Sequence, residues 1–314
     1  MSAYGVVNTS KDSIWIEKYR PKTLDNLVGN EDQINKLKDM LETNIIFNLL
    51  ICGPPGVGKT SAAKCFARQL LGEYYAEGVL ELNAASERGI ETVREKIKIF
   101  SQEKIILPKR KYKIVIMDEV EAMTTTAQQS LRRIYEIYAD TTRYFMICNS
   151  SEKIIEPLQS RSIILRFSKI KNDAILNRLK KICDAQNYNY SEDALALLVD
   201  SCEGDCRKAI GYVQMAASLY DKLEIENVYN ICDILPLPLI KELFLHIQEG
   251  QFKQANTATG KILDEGYSNQ EILASLLKII ETDDMSNSMK MIYHGMITES
   301  IIANETGISD LQFE

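Results

Sequence analysis

Leu49-Leu50-Ile51-Cys52-Gly53-Pro54-Pro55-Gly56-Val57-Gly58-Lys59-Thr60-Ser61 is the stretch on which the fold turns. Its apolar start ends a buried strand, and Gly53 to Thr60 then fills the pattern G-x-x-x-x-G-K-[ST] without a gap. The glycines let the backbone turn its N–H groups inward on an anion. The following SAAKCFARQLL starts a helix whose positive N-terminal end points at the same place. The segment reads as a phosphate-binding loop, in which Lys59 reaches the β and γ phosphates of the bound nucleotide and the Thr60 hydroxyl holds Mg2+. A glycine-rich turn with a chance lysine would not need this strand-loop-helix setting.

Working outward, strand-like and helix-like stretches alternate. The strands are IIFNLLIC (45–52), VLELNA (79–84), KIVIMD (113–118), YFMICN (144–149) and SIILRF (162–167). Between them lie helical patterns such as GIETVREKIKIF, with Ile90, Val93, Ile97 and Phe100 on one stripe. Five short apolar strands separated by helices predict an α/β domain, a five-stranded parallel sheet covered on both faces, over 1–167. Ahead of it, Asn30 is placed to cap a helix carrying Ile34, Leu37 and Leu41 on one face. From Lys169 the β pattern stops. Three short helical patterns, with Ser191 as an N-cap and Gly204 at a break, predict a small helical domain over 168–232. Pro236 and Pro238 then punctuate the chain before a third, all-helical domain over 233–314.

The chemistry gathers at the ends of the strands. KIVIMDE, 113–119, closes an apolar strand on two carboxylates. Asp118 is placed to bind the magnesium held by Thr60, and Glu119 to orient and activate an attacking water, which is a hydrolase pattern. Asn149 ends the next strand, where a polar side chain faces the ligand crevice and an amide can touch the γ phosphate and hold the water. Arg161, in EPLQSRS, and Arg207, in GDCRKAI, are candidates to neutralise the transferred phosphate.

Composition narrows the class. A length of 314 residues with 45% apolar side chains supports two or three domains with full cores. The seven scattered cysteines read as reduced core residues of an intracellular protein, and the C-x3-C pair Cys202 and Cys206 has no second pair to build a zinc site. No apolar run approaches the roughly 18 residues of a membrane span, and the first residues lack a secretory pattern. A net charge of −7 opposes indiscriminate coating of nucleic acid, so any DNA contact is confined to one face.

WIEKYRP with LDNLVGN, GPPGVGKT, LELNAASERGI, IVIMDE, RRIYEIYADTTRYFMICNSSEKIIEPLQSRS and GDCRKAI occur in this order from Trp15 to Ile210. Together they resemble the small subunits of replication factor C, in the clamp-loader branch of AAA+ ATPases. The segment KIFSQEKIILP is more like the eukaryotic small subunits than a bacterial clamp loader. The resemblance implies that Ile16, Arg20 and Val28 line an adenine pocket above Gly53, Pro54, Pro55, Gly56, Val57, Gly58, Lys59, Thr60 and Ser61. It makes Asn149 a first sensor and Arg207 a second, with Arg161 an arginine finger serving the neighbour's ATP. It further implies a helical lid, a helical collar that joins a heteropentamer, and nuclear residence. The sliding clamp PCNA and primer-template DNA are the implied partners, with no membrane.

This chain departs from that pattern in carrying Ser160-Arg161-Ser162 where the family has Ser-Arg-Cys. Val120-Glu121 likewise stands where it has Ala-Asp. For DNA, the resemblance turns the start of the helix that follows Arg88 toward a central chamber and makes Arg88 the candidate contact, while a solvated charged face explains Arg94, Lys98, Lys109, Arg110 and Lys111 equally well. Such contacts would track phosphates and not read bases. Two other readings are a scaffold subunit that holds nucleotide without turning it over and a branch-migration helicase. The latter would need a C-terminal DNA-binding domain, and no winged-helix pattern follows Pro236.

Overall fold

Strands that are apolar on both sides leave neither sheet face able to meet water. The computed structural model describes residues 14–85, 90–105, 107–108, 111–282 and 285–305, and in it both faces are covered. The strands are β1 (Leu49–Cys52), β2 (Val79–Asn83), β3 (Lys113–Asp118), β4 (Thr142–Cys148) and β5 (Ile163–Arg166). Every neighbouring pair is parallel, and the order is β2-β3-β4-β1-β5. The phosphate-binding loop therefore leaves an inner strand, and β5 lies at an edge.

This sheet belongs to a first compact unit, Met1–Ile225. Its helices are α1 (Trp15–Lys18), α2 (Glu31–Thr43), α3 (Lys59–Leu71), α4 (Tyr75–Gly78), α5 (Ile90–Gln102), α6 (Thr125–Ile137), α7 (Glu156–Gln159), α8 (Asn172–Gln186), α9 (Glu192–Ser201) and α10 (Cys206–Leu219). On one face α3 sets Phe66 edge-on against Phe145 with ring centroids 5.4 Å apart. On the other, Tyr135 of α6 stacks on Tyr144 at 4.0 Å, and Leu50, Val115, Met117 and Met146 share a core with Ile97, Leu131 and Ile134. Aromatic pairs of this kind add about 0.5–1.5 kcal/mol each beyond their buried area.

At the far end of β3 from the carboxylates, Lys113 is buried. Its Nζ donates to the carbonyls of Phe100 (2.8 Å), Ser101 (2.7 Å) and Glu103 (2.8 Å). These are the orphan acceptors at the end of α5, so one lysine caps the helix and ties it to the sheet. Burial pulls this ammonium below the usual lysine range, with Glu103 opposing.

Three local features differ from the sequence reading. The first strand begins at Leu49, because Phe47 points to solvent and the apolar run does not become a ladder until Asn48 is passed. Asn30 does not cap α2: it follows Gly29 in a second left-handed conformation (φ 55°), where a cap needs extended backbone. Its amide instead accepts from Ser168 N (2.8 Å) and donates to Ser168 O (3.1 Å), joining the lead segment to the end of the sheet domain. Beyond Lys169 a β pair does form, β6 (Asn189–Tyr190) with β7 (Lys222–Leu223), too short to leave a period of two in the sequence. Ser191 caps α9 as expected, accepting from Ala194 N at 3.2 Å.

The second compact unit, Glu226–Glu314, contains the remainder of α11 (Ile225–Cys232), then α12 (Leu237–Gln248), α13 (Phe252–Asp264), α14 (Asn269–Thr282) and α15 (Asn287–Glu305). Ile240, Leu243, Phe244, Ile272, Leu276 and Ile280 form its core, with Phe244 edge-on to Tyr293 at 5.7 Å. Among the described residues no helix is long and apolar enough to cross a membrane.

Candidate functional site

β1 ends at Cys52 and the chain turns at once into Gly53, whose φ of 150° and position matter together: a Cβ there would lie 2.1 Å from the Phe167 carbonyl oxygen. Only glycine lets the loop leave the sheet this close to the end of β5. Gly58 (φ 93°) then delivers the chain into α3, so the helix's free N–H groups face the loop.

Lys59 is 8% exposed and folds back over the loop. Its Nζ donates to Gly53 O (2.5 Å), Pro54 O (2.7 Å) and Asn149 Oδ1 (3.0 Å). Burial lowers its pKa from the ordinary lysine value, and the carboxylates of Asp118 and Glu121 oppose that shift. Next to it the Thr60 hydroxyl donates to Asp118 Oδ2 at 2.7 Å. The tip of β3 has thus brought an acid from 58 residues away onto the first turn of α3. Glu119 follows in a left-handed conformation (φ 55°), its backbone N donating to Asp118 Oδ1 at 3.0 Å while its side chain stays exposed. The strained turn holds two adjacent carboxylates in different surroundings, one engaged and one free.

Asn149 stands one residue past β4, beside Asp118 in the sheet order, as its place in the sequence predicted. Glu121 was assigned no role from sequence. Here its Oε1 accepts from both the backbone N (2.9 Å) and Nδ2 (2.8 Å) of Asn149.

A cleft opens over the loop. Ile16, Arg20 and Val28 from the lead segment, Gly56 to Ser61 from the loop and α3, and Arg207 from α10 all line it. Tyr19, Arg178 and Ile210 line it as well and were not singled out from sequence. Tyr19 and Ile210 sit inside quoted motifs, whereas nothing in NDAILNRLKK marks Arg178, whose Nη2 donates to Tyr19 O at 2.7 Å. The lead segment is pinned to α10 by Trp15 N, which donates to Gln214 Oε1 at 2.8 Å, and within it Arg20 pairs with Glu17 at 2.5 Å. Asp205 caps α10 through Lys208 N (2.9 Å) and lies against Gly56.

Arg161 is not among the residues lining this cleft. It precedes β5, whereas the loop follows β1, and the two strands are parallel with Leu49 opposite Ile163. Since Phe167 N donates to Cys52 O, the loop is level with residue 167. At about 3.3 Å per residue, Arg161 is on the order of 20 Å from its own loop. Its Nη1 donates to Pro157 O and its Nη2 to Glu136 Oε1, both at 2.9 Å. The DNA-contact candidate Arg88 lies outside the described residues, as do Lys109 and Arg110, while Arg94 and Lys98 are exposed on α5.

Residues 49–170 match the model of the ATPase family associated with various cellular activities (AAA). Replication factor C subunit 4 of Schizosaccharomyces pombe is 43% identical over 286 residues, covering 90% of this chain and 83% of that one. The replication factor C small subunit of Staphylothermus marinus is 38% identical over 275 residues, covering 87% and 82%. In fold the chain is similar to the Thermotoga maritima RuvB Holliday junction branch migration motor, with a TM-score of 0.55 at 18% identity over 77% of this chain and 85% of that one. At such identity the likeness is one of fold alone. The AAA domain and these relatives make the protein an ATP hydrolase. By descent across nearly its whole length, the chain belongs to the small subunits of replication factor C.

Proposed function

We propose that this protein is a working ATPase subunit of a nuclear, heteropentameric replication factor C. In this role it spends ATP to open the sliding clamp PCNA and close it around primer-template DNA. The observation that carries the reading is the separation within one fold. A hydrolytic set is assembled over the loop, while the arginine that would complete it stands at the far end of an edge strand. Such a site depends on a neighbouring subunit for its arginine, and that dependence ties turnover to assembly.

Within the site, Ile16, Arg20 and Val28 hold the adenine, and the backbone N–H groups from Gly53 to Ser61 cradle the phosphates. Lys59 exchanges its carbonyl partners for the β and γ phosphates. Thr60 and Asp118 offer two oxygens to one point, a donor set that suits magnesium, which prefers few protein oxygens and completes its shell with water and phosphate. When bound, magnesium neutralises charge on those phosphates. Glu119, exposed at the strand tip, takes the proton of the attacking water, and Asn149 positions that water. Arg207 acts on the same nucleotide and Arg161 on the neighbour's. The division into 1–167, 168–232 and 233–314 gives the roles of motor, lid and collar, and Arg88, two residues ahead of α5 in the sequence, is the candidate DNA contact.

The deciding experiment copurifies the tagged chain from nuclear extract, identifies its partners by mass spectrometry, and measures ATPase activity and clamp loading on primed DNA. A complex with four other replication factor C subunits that loads PCNA is expected. In that complex Lys59→Ala should abolish this subunit's turnover. Loading that survives Lys59→Ala and Glu119→Gln unchanged would make the chain a scaffold.

A further inference from the structure

Glu121 follows the two strand-tip acids by two residues, in a turn anchored by the fully buried Val120. Three features of its carboxylate stand together. Its Oε1 takes both N–H groups of Asn149, at 2.9 Å from the backbone and 2.8 Å from Nδ2. On the other side of the same amide, Asn149 Oδ1 accepts from Lys59 Nζ at 3.0 Å. The remaining oxygen, Oε2, is shut off from solvent and has no hydrogen-bond partner among the described residues. A space-filling side chain would not carry the cost of such an orphan acceptor.

The amide's direction follows from the chemistry of its neighbours. An ammonium only donates and an ionised carboxylate only accepts, so the oxygen of Asn149 must face Lys59 and its nitrogen must face Glu121. If Glu121 could not accept, the amide could turn over and present N–H groups to the phosphate site.

We propose that Glu121 is the positioning residue of Asn149, holding the amide so that its oxygen, and not its nitrogen, faces the reacting phosphate. This rests on the reading of Asn149 as the residue that holds the attacking water. When the phosphates draw Lys59 away from Asn149, Oδ1 is left as an acceptor aimed into the site. It takes one water O–H, Glu119 takes the other, and the water's lone pair is turned toward phosphorus. Glu119 and Glu121 thus divide the work from one strand end, the first touching the water and the second touching only the residue that orients it.

The test uses the full chain in its assembled complex, with the phosphate-loop lysines of the other subunits mutated so that one site reports. Glu121→Met removes the acceptor at similar length. It should lower kcat by about 10- to 100-fold, the usual scale of a misaligned reacting group, with KM and affinity for a non-hydrolysable ATP analogue changed less than about threefold. Glu121→Gln keeps an acceptor oxygen and should recover most of the loss. In an Asn149→Ala background Glu121→Met should cost nothing more, since the residue it acts through is gone.

Additive losses in the double variant, or a normal kcat in Glu121→Met, would overturn the proposal. If Glu121→Met does not fold, Glu121→Ala replaces it. Loss of analogue affinity along with kcat in both would show that Glu121 merely supports the loop, and the proposal would fall. If Asn149→Ala alone hydrolyses ATP normally, it is the role of Asn149 that fails. An impaired Asn149→Ala beside a normal Glu121→Met removes only the role of Glu121.

Discussion

Gly56→Ala measures how tightly the phosphate-binding loop is fitted to α10. Gly56 has φ 70°, and a Cβ there would sit 1.7 Å from Asp205 Oδ1 and 2.1 Å from Asp205 Cγ. An alanine in this left-handed conformation costs about 1–2 kcal/mol. The Asp205 carboxylate must also move, giving up its bond to Lys208 N (2.9 Å) at the start of α10, and losing an N-cap costs about 1 kcal/mol. A total near 2–3 kcal/mol should lower Tm by roughly 4–12 °C for a unit of this size. ATP affinity should fall as well, because Arg207, the second residue of α10, lines the same cleft. The informative measurement is a double-mutant cycle read by thermal melting. Asp205→Ala alone loses the cap, about 1 kcal/mol. With Asp205 already truncated, Gly56→Ala should cost only its backbone strain, so the double variant falls short of the summed singles by about one cap's worth. Strict additivity, or a Gly56→Ala variant as stable as the parent, would refute the contact and the coupling drawn from it.

Four further outcomes are expected. Glu119→Gln should bind ATP as the parent does and hydrolyse it far more slowly in single-turnover assays, because the side chain addresses water and not phosphate; normal turnover would remove Glu119 as the base. Arg161→Ala should leave this subunit's ATP affinity intact while silencing the neighbour's site, by a factor within the roughly 10³–10⁵ that arginine fingers supply. Complexes with one working site at a time would show if the loss falls in cis instead. Lys113→Met should destabilise the first unit by several kcal/mol in urea melts, since three carbonyls at the end of α5 lose a buried charged donor; a change below about 0.5 kcal/mol would refute that role, being the scale of a surface substitution. Burial lowers the pKa of Lys59, and only its ammonium form binds phosphate. ATP affinity should therefore decline with rising pH before the ordinary lysine value of about 10.4. Stability of the nucleotide-free chain should gain over the same interval, because the unfolded lysine holds its proton to higher pH. A profile identical in Lys59→Met would exclude this group.

Much of this protein was legible in its residues because the deciding interactions are local. A strand running into Gly53 to Thr60 needs no distant partner to specify a phosphate loop: the glycines, the lysine and the start of α3 lie within one turn of chain. The same holds for the acids that end β3, for Asn149 at the end of β4, and for five apolar runs that had to form a parallel sheet. The order of those strands, which puts β5 and with it Arg161 at an edge, came from tertiary pairing alone. What stayed hidden depends on pairs far apart in sequence. Asn30 had the residue type of a helix cap, but Gly29 turned it toward Ser168, 138 residues on. Lys113 looked like the polar start of a strand until α5 was laid across it. Arg178 reached the cleft only because α8 folds back on the lead segment, and Glu121 gained its role only when β4 set Asn149 beside the turn after β3. Sequence determines which groups a short stretch carries and the local conformation they favour. Which acceptor a buried donor finds, and which way an amide must point, is decided by close packing, since each polar atom withdrawn from water takes the partner that the tertiary fold brings within reach.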